Sequence, residues 1–273
     1  MDKDTENRVR LDQYLVNEGY VTSRDKAKVE IKTGNVEING EVSLKPSYKV
    51  IPGDTVVFQG TVFPYVSRGA LKLLKAVSGF NIDISGKSCL DIGASTGGFT
   101  EVLLEKGASD VTAVDVGNDQ LANKIKNDPR VRSIEGFNFR DSSLVKMSFK
   151  DKIFDLVVCD VSFISIKLLT DSFKAVFNTE TQGVILIKPQ FEAGRQGLNK
   201  KGVVTEITLH KTILASIVEH FTASGFGILN IIPSPIRGGD GNIEYLMYIN
   251  SKTDNNISEE EIYTTVNAAF EES

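Results

Sequence analysis

The sequence predicts an α/β fold, a doubly wound parallel sheet preceded by a smaller α+β unit. Three observations lead there. Beyond residue 66, short apolar runs alternate with helical patterns, the order that builds βαβ units and a parallel sheet. The string LDIGASTGGF, Leu90 to Phe99, sets a glycine-rich turn directly after one such run and before a helix. Residues 8–60 read differently, as two short helices followed by short strands and tight turns. A linker over 61–66, TVFPYV, separates this unit from the second, over 67–250, and residues 251–273 read as an acidic helical tail.

In the first unit, Leu11, Tyr14 and Leu15 recur at helical spacing and Gly19 ends that helix. Thr22 or Ser23 caps a second helix, with Ala27 and Ile31 as its apolar side, Val29 beside them, and Gly34 as its stop. Val36 and Ile38 lead into an Asn39-Gly40 hairpin turn. Val50 to Phe58 reads as a further strand broken by Pro52-Gly53-Asp54, and so small a unit supports only a small core. In the second unit, strands are expected at Ser88 to Ile92, Asp110 to Val116, Arg132 to Glu135, Phe154 to Asp160, Gly183 to Lys188, Gly227 to Pro233 and Glu244 to Asn250. Helices are expected at Ala70 to Val77, Phe99 to Lys106, Ala122 to Asn127, Ile166 to Phe177 and Thr208 to Ser224. Ser258 and Glu261 form a capping box for the tail.

Of the 273 residues, 41% are hydrophobic and 25% charged, the composition of a globular chain rather than a disordered, collagenous or disulfide-stapled one. Lys plus Arg total 31 against 36 Asp plus Glu, a net charge of -5. That excludes a bulk-basic nucleic-acid binder but leaves room for a local basic patch. The first residues carry no apolar leader, and no run approaches the ~18 apolar residues that span a bilayer. The expectation is a cytoplasmic protein with no membrane partner. Cys89 and Cys159 sit in apolar runs without ligand spacing and read as buried reduced thiols, with a disulfide or redox pair as the alternative; no metal site is expected.

The chemistry concentrates at strand ends. Gly93, Gly97 and Gly98, with Ser95 between them, let the backbone turn sharply and approach a ligand, and the following helix offers free amides. With Asp91 two residues before the first glycine, the loop suits NAD, FAD or S-adenosylmethionine. It leans toward the last, whose amine wants an acidic neighbour and which has no pyrophosphate. Asp115, at the tip of the next strand, can accept from both ribose hydroxyls. Asn138 and Phe139 follow the third strand, where a polar group and a ring could meet adenine.

Lys72, Asp160, Lys188 and Glu244 form a second set, and in an open α/β sheet ligands bind at the carboxyl ends of the strands. Methylating a ribose 2′-hydroxyl needs a base. A lysine serves only if desolvation or a neighbouring cation lowers its pKa, which Lys72 and Lys188 would do for each other while Asp160 and Glu244 orient them. In the first unit Arg8 and Arg10 open one helix, and Arg24, Lys28 and Lys32 share a face of the next. Such a face suits RNA phosphates or is simply solvated.

The string RLDQYLVNEGYVTSRDKAKVEIKTGNVEINGEVSLKPSYKVIPGDTVVF resembles the S4 domain, a small RNA-binding module, through RLDxxL, SRxxAxxxIxxGxVxING and KPxxxVxxGD. This resemblance implies RNA contacts for Arg10, Arg24, Lys28, Lys32 and Lys45. The strings SRGALKLL, LDIGASTGGFTEVLL, VTAVDVG, FDLVVCDVSFIS, ILIKPQFEAGR and GNIEYLMYI resemble the FtsJ-type ribose 2′-O-methyltransferases. Their Lys-Asp-Lys-Glu tetrad falls on Lys72, Asp160, Lys188 and Glu244. With the S4 pattern in front, the chain is similar to the haemolysin-like TlyA group, methyltransferases of ribosomal RNA cytidines.

The resemblance implies a Rossmann-like S-adenosylmethionine-dependent domain. Its cofactor would be held by Asp91, Gly93, Ser95, Gly97, Gly98, Phe99, Asp115, Asn138, Phe139 and Asp160. At position 138 many FtsJ-type enzymes carry Asp, and Asn can still accept from the adenine amino group. The implied partner is ribosomal RNA or a ribosomal subunit, met by a monomer, with Arg68, Arg195, Lys200, Lys201 and Arg237 extending the basic track. Two other readings stand beside it: a non-catalytic RNA-binding assembly factor and a membrane-lysing haemolysin. An NAD-dependent oxidoreductase would explain the glycines but neither the S4 pattern nor the lysine pair.

Overall fold

The computed structural model describes residues 8–21, 23–60, 64–238, 241–252 and 256–271, and the chain divides into two units between Arg68 and Gly69. The first unit runs β1 (Val9–Arg10), α1 (Leu11–Asn17), α2 (Arg24–Lys32), β2 (Val36–Ile38), β3 (Glu41–Val42), β4 (Lys49–Val50) and β5 (Val56–Phe58). Thr22 lies outside the described residues, as do 61–63 of the linker; Ser23 caps α2, its hydroxyl accepting from the Lys26 amide. Leu11, Leu15, Val21, Ala27, Ile31, Val36, Ile38 and Val50 form the core. Val29 is 59% exposed and does not join them. At about 100° per residue it points away from a face shared by its neighbours two positions either side.

The Asn39-Gly40 turn has both residues at positive φ, 53° and 86°, the geometry a two-residue hairpin requires. The single strand expected over Val50 to Phe58 is instead two strands in different sheets. β4 pairs with β1, whereas β5 pairs with β2, and β2 also pairs with β3. The turn between them, where Asp54 accepts from the Ile51 amide, redirects the chain from one sheet to the other.

The second unit begins with α3 (Gly69–Gly79) and alternates β6 (Ser88–Ile92), α4 (Gly98–Glu105), β7 (Asp110–Val114), α5 (Asn123–Lys126), β8 (Val131–Ile134), α6 (Ser142–Ser148), β9 (Leu156–Cys159), α7 (Thr170–Val176) and β10 (Gln182–Ile187). It ends with α8 (Pro189–Glu192), α9 (Ile207–Ala223), β11 (Gly227–Pro233), β12 (Tyr245–Asn250) and α10 (Glu259–Glu271). The sheet order is β11-β12-β10-β9-β6-β7-β8. The run from β10 to β8 is parallel throughout, as the βαβ alternation implies. β12 is the exception: it lies antiparallel to β10 and to β11. Its start therefore sits at the same edge as the ends of the parallel strands, with Ile187 opposite Tyr245.

β6, β9 and β10 are buried along nearly their whole length, and their Leu90, Ile92, Val157, Ile185 and Ile187 join the main core. α10 belongs to that core too, through Ile262, Val266 and Ala269, and Ser258 and Glu261 make the expected capping box at its start. Cys89 and Cys159 are both buried and unbonded to each other, and burial pushes the Cys89 thiol up to about 12.

Candidate active site

The strand order reverses at β6: β7 and β8 lie on one side of it, β9 and β10 on the other. At such a switch the loops leaving neighbouring strands part and leave a crevice. Here a cavity of about 440 Å³ opens, lined by Gly93, Ser95, Asp115, Asn138, Phe139 and Asp160 among others. That volume is ample for a nucleoside cofactor.

The loop after β6 has its tight geometry for a reason visible in its backbone. Gly93, Ser95 and Gly97 all take positive φ, at 80°, 47° and 96°. The Ser95 amide donates to Asp115 Oδ2 at 2.8 Å and the Gly117 amide to Asp115 Oδ1 at 2.7 Å. Each carboxylate oxygen thus holds one amide and keeps a lone pair for a ribose hydroxyl. The Asn138 side-chain oxygen accepts from the Arg140 amide at 3.1 Å. Phe139 is a wall of the cavity rather than a free stacking surface: it is 5% exposed and its ring packs on Phe173.

Four residues of the expected cofactor set do not line the cavity. Gly97 and Gly98 are buried at the start of α4, and Phe99 is buried in that helix. Asp91 is fully buried, stitching β6 to α4 by accepting from the Thr100 hydroxyl at 2.6 Å, while its Oδ1 has no partner.

Burial pushes the Asp91 carboxyl up to about 7, the Thr100 hydrogen bond pulls it partly back, and the nearby Asp160 raises it further. The unfolded carboxyl titrates near its ordinary value of ~3.9. Its contribution to stability is therefore fully present below about pH 4 and is lost as the pH rises through about 7. Asp91→Asn should melt progressively higher than the unaltered protein as the pH is raised from 5 to 8, read by scanning calorimetry. A melting difference that stays flat with pH would show that Asp91 is ionised in the fold.

The charged tetrad converges at the same edge. Lys72 comes from α3, Asp160 follows β9, Lys188 follows β10 and Glu244 precedes β12. Lys72 Nζ lies 2.7 Å from Glu244 Oε2 and 3.6 Å from Asp160 Oδ2. Lys188 Nζ lies 2.6 Å from Asp160 Oδ1. The four form one chain of alternating charge, Glu244–Lys72–Asp160–Lys188, with both amines and Glu244 buried and Asp160 at the cavity wall. Gln190 donates to the second Glu244 oxygen at 3.3 Å. Burying charges this way is tolerable only when each is paired, and here each is.

The basic residues fall in two groups. In the first unit, fully buried Asp12 holds Arg10 through two bonds of 2.9 and 3.0 Å and Arg24 at 3.0 Å. The hydrogen bond from Arg10 draws the Asp12 carboxyl down to about 2, with Arg24 adding to it. Lys28 pairs with Asp25 at 2.8 Å, and Lys32 and Lys45 are exposed, as is Arg68 at the unit's end. In the second unit Arg195, which opens a short 3-10 turn over Arg195–Gly197, and Lys200, Lys201 and Arg237 on loops are all exposed, and none of them lines the cavity. Arg237 donates to the Gly241 carbonyl at 2.8 Å.

Sequence reasoning missed Phe163 and Ser162. Phe163 is 91% exposed, lines the cavity, and has φ of 64°, a conformation that costs a non-glycine residue about 1–2 kcal/mol. Its ring leans on Phe191 at 5.2 Å between centroids. Nothing in the periodicity of DVSFIS separates this ring from a core residue.

Residues 65–251 match the model of the FtsJ-like methyltransferases, and residues 9–56 match that of the S4 domain. Hemolysin A of Brachyspira hyodysenteriae is 45% identical over 88% of this chain and 99% of its own. The 16S/23S rRNA (cytidine-2′-O)-methyltransferase TlyA of Mycobacterium tuberculosis is 37% identical over 97% of this chain and 98% of its own. A solved structure described as a hemolysin from Streptococcus thermophilus superposes with a TM-score of 0.78 at 38% identity, covering 97% of each chain. Among the described residues no helix is long and apolar enough to cross a membrane. The tetrad, the cavity at the switch point and the span of the match agree: the chain belongs to the FtsJ-like methyltransferase family and carries an S4 domain ahead of its catalytic unit.

Proposed function

We propose that the protein transfers the methyl group of S-adenosylmethionine to the ribose 2′-hydroxyl of a cytidine in ribosomal RNA, with the S4 domain docking the RNA. It would do so as a cytoplasmic monomer without a metal. The observation that carries this reading is the Glu244–Lys72–Asp160–Lys188 chain beside the cavity whose Asp115 suits a ribose. The M. tuberculosis relative, matched over nearly its full length, bears that activity in its name.

The residues present fit the cofactor. Asp115 has lone pairs left for ribose hydroxyls, the lining is mostly apolar, and Gly93 keeps the wall close to Asp160. When bound, the cofactor supplies an electrophilic methyl on a sulfonium. The chain supplies the rest. Lys72 is committed to Glu244 and Asp160, so it serves as the fixed cation that holds Asp160 in place. Lys188, with Asp160 as its one carboxylate neighbour among the described residues, takes the proton from the 2′-hydroxyl. Aligning that oxygen with the methyl supplies the remaining acceleration.

Phe163 offers the target base a face. A base leaving its stack needs an aromatic surface, and such stacking contributes about 1–3 kcal/mol. Phe163→Ala should raise KM for RNA about 5- to 150-fold with little change in cofactor affinity. Steady-state kinetics with RNA varied checks this, and an unchanged KM removes Phe163 from the substrate site.

The S4 face is tested by salt. Arg24→Ala with Lys28→Ala should lower the slope of log affinity against log salt by roughly one unit per lost phosphate contact. An unaltered slope would relocate the RNA contact.

The reading as a whole is tested by transfer of labelled methyl from S-adenosylmethionine to 30S subunits, 50S subunits and naked rRNA. Incorporation mapped to a ribose is expected on at least one. No incorporation with the cofactor bound would move the assignment to a non-catalytic RNA-binding factor. Failure to bind the cofactor would overturn it.

A further inference from the structure

Ser162 follows Asp160 by two residues, is exposed on the cavity wall, and its Oγ accepts from Lys188 Nζ at 2.8 Å. The same Nζ is 2.6 Å from Asp160 Oδ1. The distance to Ser162 is set by the scaffold. Just beyond it, Ser165 and the Ile166 amide both donate to Glu192, at 2.7 and 2.8 Å, and Phe163 packs on Phe191. Glu192 and Phe191 belong to α8, which starts at the residue after Lys188. The loop carrying Ser162 and the helix behind Lys188 are therefore tied together.

We infer that Ser162 is a positioning residue that aims the lone pair of Lys188 at the substrate hydroxyl. This rests on the reading of Lys188 as the base. A neutral amine carries two N–H bonds and one lone pair. Ser162 Oγ accepts one N–H, and the Asp160 carboxylate, 2.6 Å away as an ion-pair neighbour, repels a lone pair turned toward it, so together they leave the lone pair a single staggered direction. With Asp160 alone, the amine rotates about its last bond and the lone pair has two directions to occupy.

In the step itself the 2′-oxygen forms a bond to the methyl carbon as the carbon–sulfur bond breaks, its electron pair staying on sulfur. The hydroxyl proton goes to Lys188 Nζ. The resulting ammonium keeps its hydrogen bond to Ser162 and its ion pair with Asp160, so no reorganisation of the protein accompanies the charge.

The test uses the full chain, saturating RNA and S-adenosylmethionine, and three variants. Ser162→Ala should lower kcat about five- to tenfold, the scale of one lost hydrogen bond, with KM for RNA and cofactor affinity within twofold. Ser162→Thr, which returns the hydroxyl, should recover most of the rate. A Ser162→Ala variant with full kcat overturns the inference. So does one whose loss lies in KM for RNA, or one that Ser162→Thr fails to rescue while still binding cofactor normally. Lys188→Ala separates the two readings. If it is inactive while Ser162→Ala is unimpaired, only the role of Ser162 falls; if it stays active, the base assignment falls and the role of Ser162 with it.

Discussion

Replacing Lys188 by alanine is expected to cut methyl transfer by about two to four orders of magnitude while leaving cofactor binding nearly intact. General-base catalysis contributes about 10²- to 10⁴-fold, and the loss should fall in that range. Cofactor affinity survives because Lys188 is not among the residues lining the cavity, and because Asp160, which is, keeps Lys72 at 3.6 Å. Lys188→Arg sharpens the test. The guanidinium preserves the positive charge beside Asp160 but stays protonated at any working pH, so it neutralises without accepting a proton. If Lys188 acts by proton abstraction, both variants are equally inactive. If it acts only by charge, Lys188→Arg retains activity. Single-turnover rates at saturating RNA distinguish the two, and an arginine variant within tenfold of the unaltered enzyme would end the base assignment.

Much of this site is legible in the sequence, and the limits have physical causes. The ends of β9 and β10 could be read because a charged residue closing an apolar run is locally conspicuous, which picks out Asp160 and Lys188. Glu244 could be placed at a strand start, but its meeting with Lys72 depends on β12 running antiparallel, which no local pattern encodes. Asp91 reads like a ligand from its spacing to Gly93, yet its side chain turns inward to Thr100 because alternate residues of a strand face opposite sides of the sheet. The helices α6 and α8 escaped notice because they are only one or two turns long, with one buried residue each to mark a periodicity. Phe163 escaped because its exposure follows from a left-handed backbone within an irregular loop.

Substituting alanine at Gly93 should damage fold and catalysis together, and its cause differs from that of an ordinary glycine change. Gly93 has φ of 80°, and a Cβ there would stand 2.4 Å from the Asp160 carbonyl oxygen and 3.0 Å from its carbonyl carbon. The first term alone costs about 1–2 kcal/mol. The second has no cheap relief, since the obstacle is backbone at the end of β9. The same residue carries the carboxylate that binds Lys188 at 2.6 Å and Lys72 at 3.6 Å. Displacing it by even part of an ångström separates the two lysines' shared partner from one of them and narrows the cavity that both Gly93 and Asp160 line.

The expected outcome for Gly93→Ala is a stability loss of about 2–4 kcal/mol and a drop in methyl transfer exceeding 100-fold in the protein that remains folded. Gly86→Ala is the control, because Gly86 also has positive φ, 71°, but open space where its Cβ would go. It should show the backbone strain alone and keep its activity. If the two variants lose equal stability and both stay active, the close approach of the two loops is slack rather than tight. The site would then owe its geometry to the ion pairs instead of to the glycine that lets β6 and β9 open beside each other.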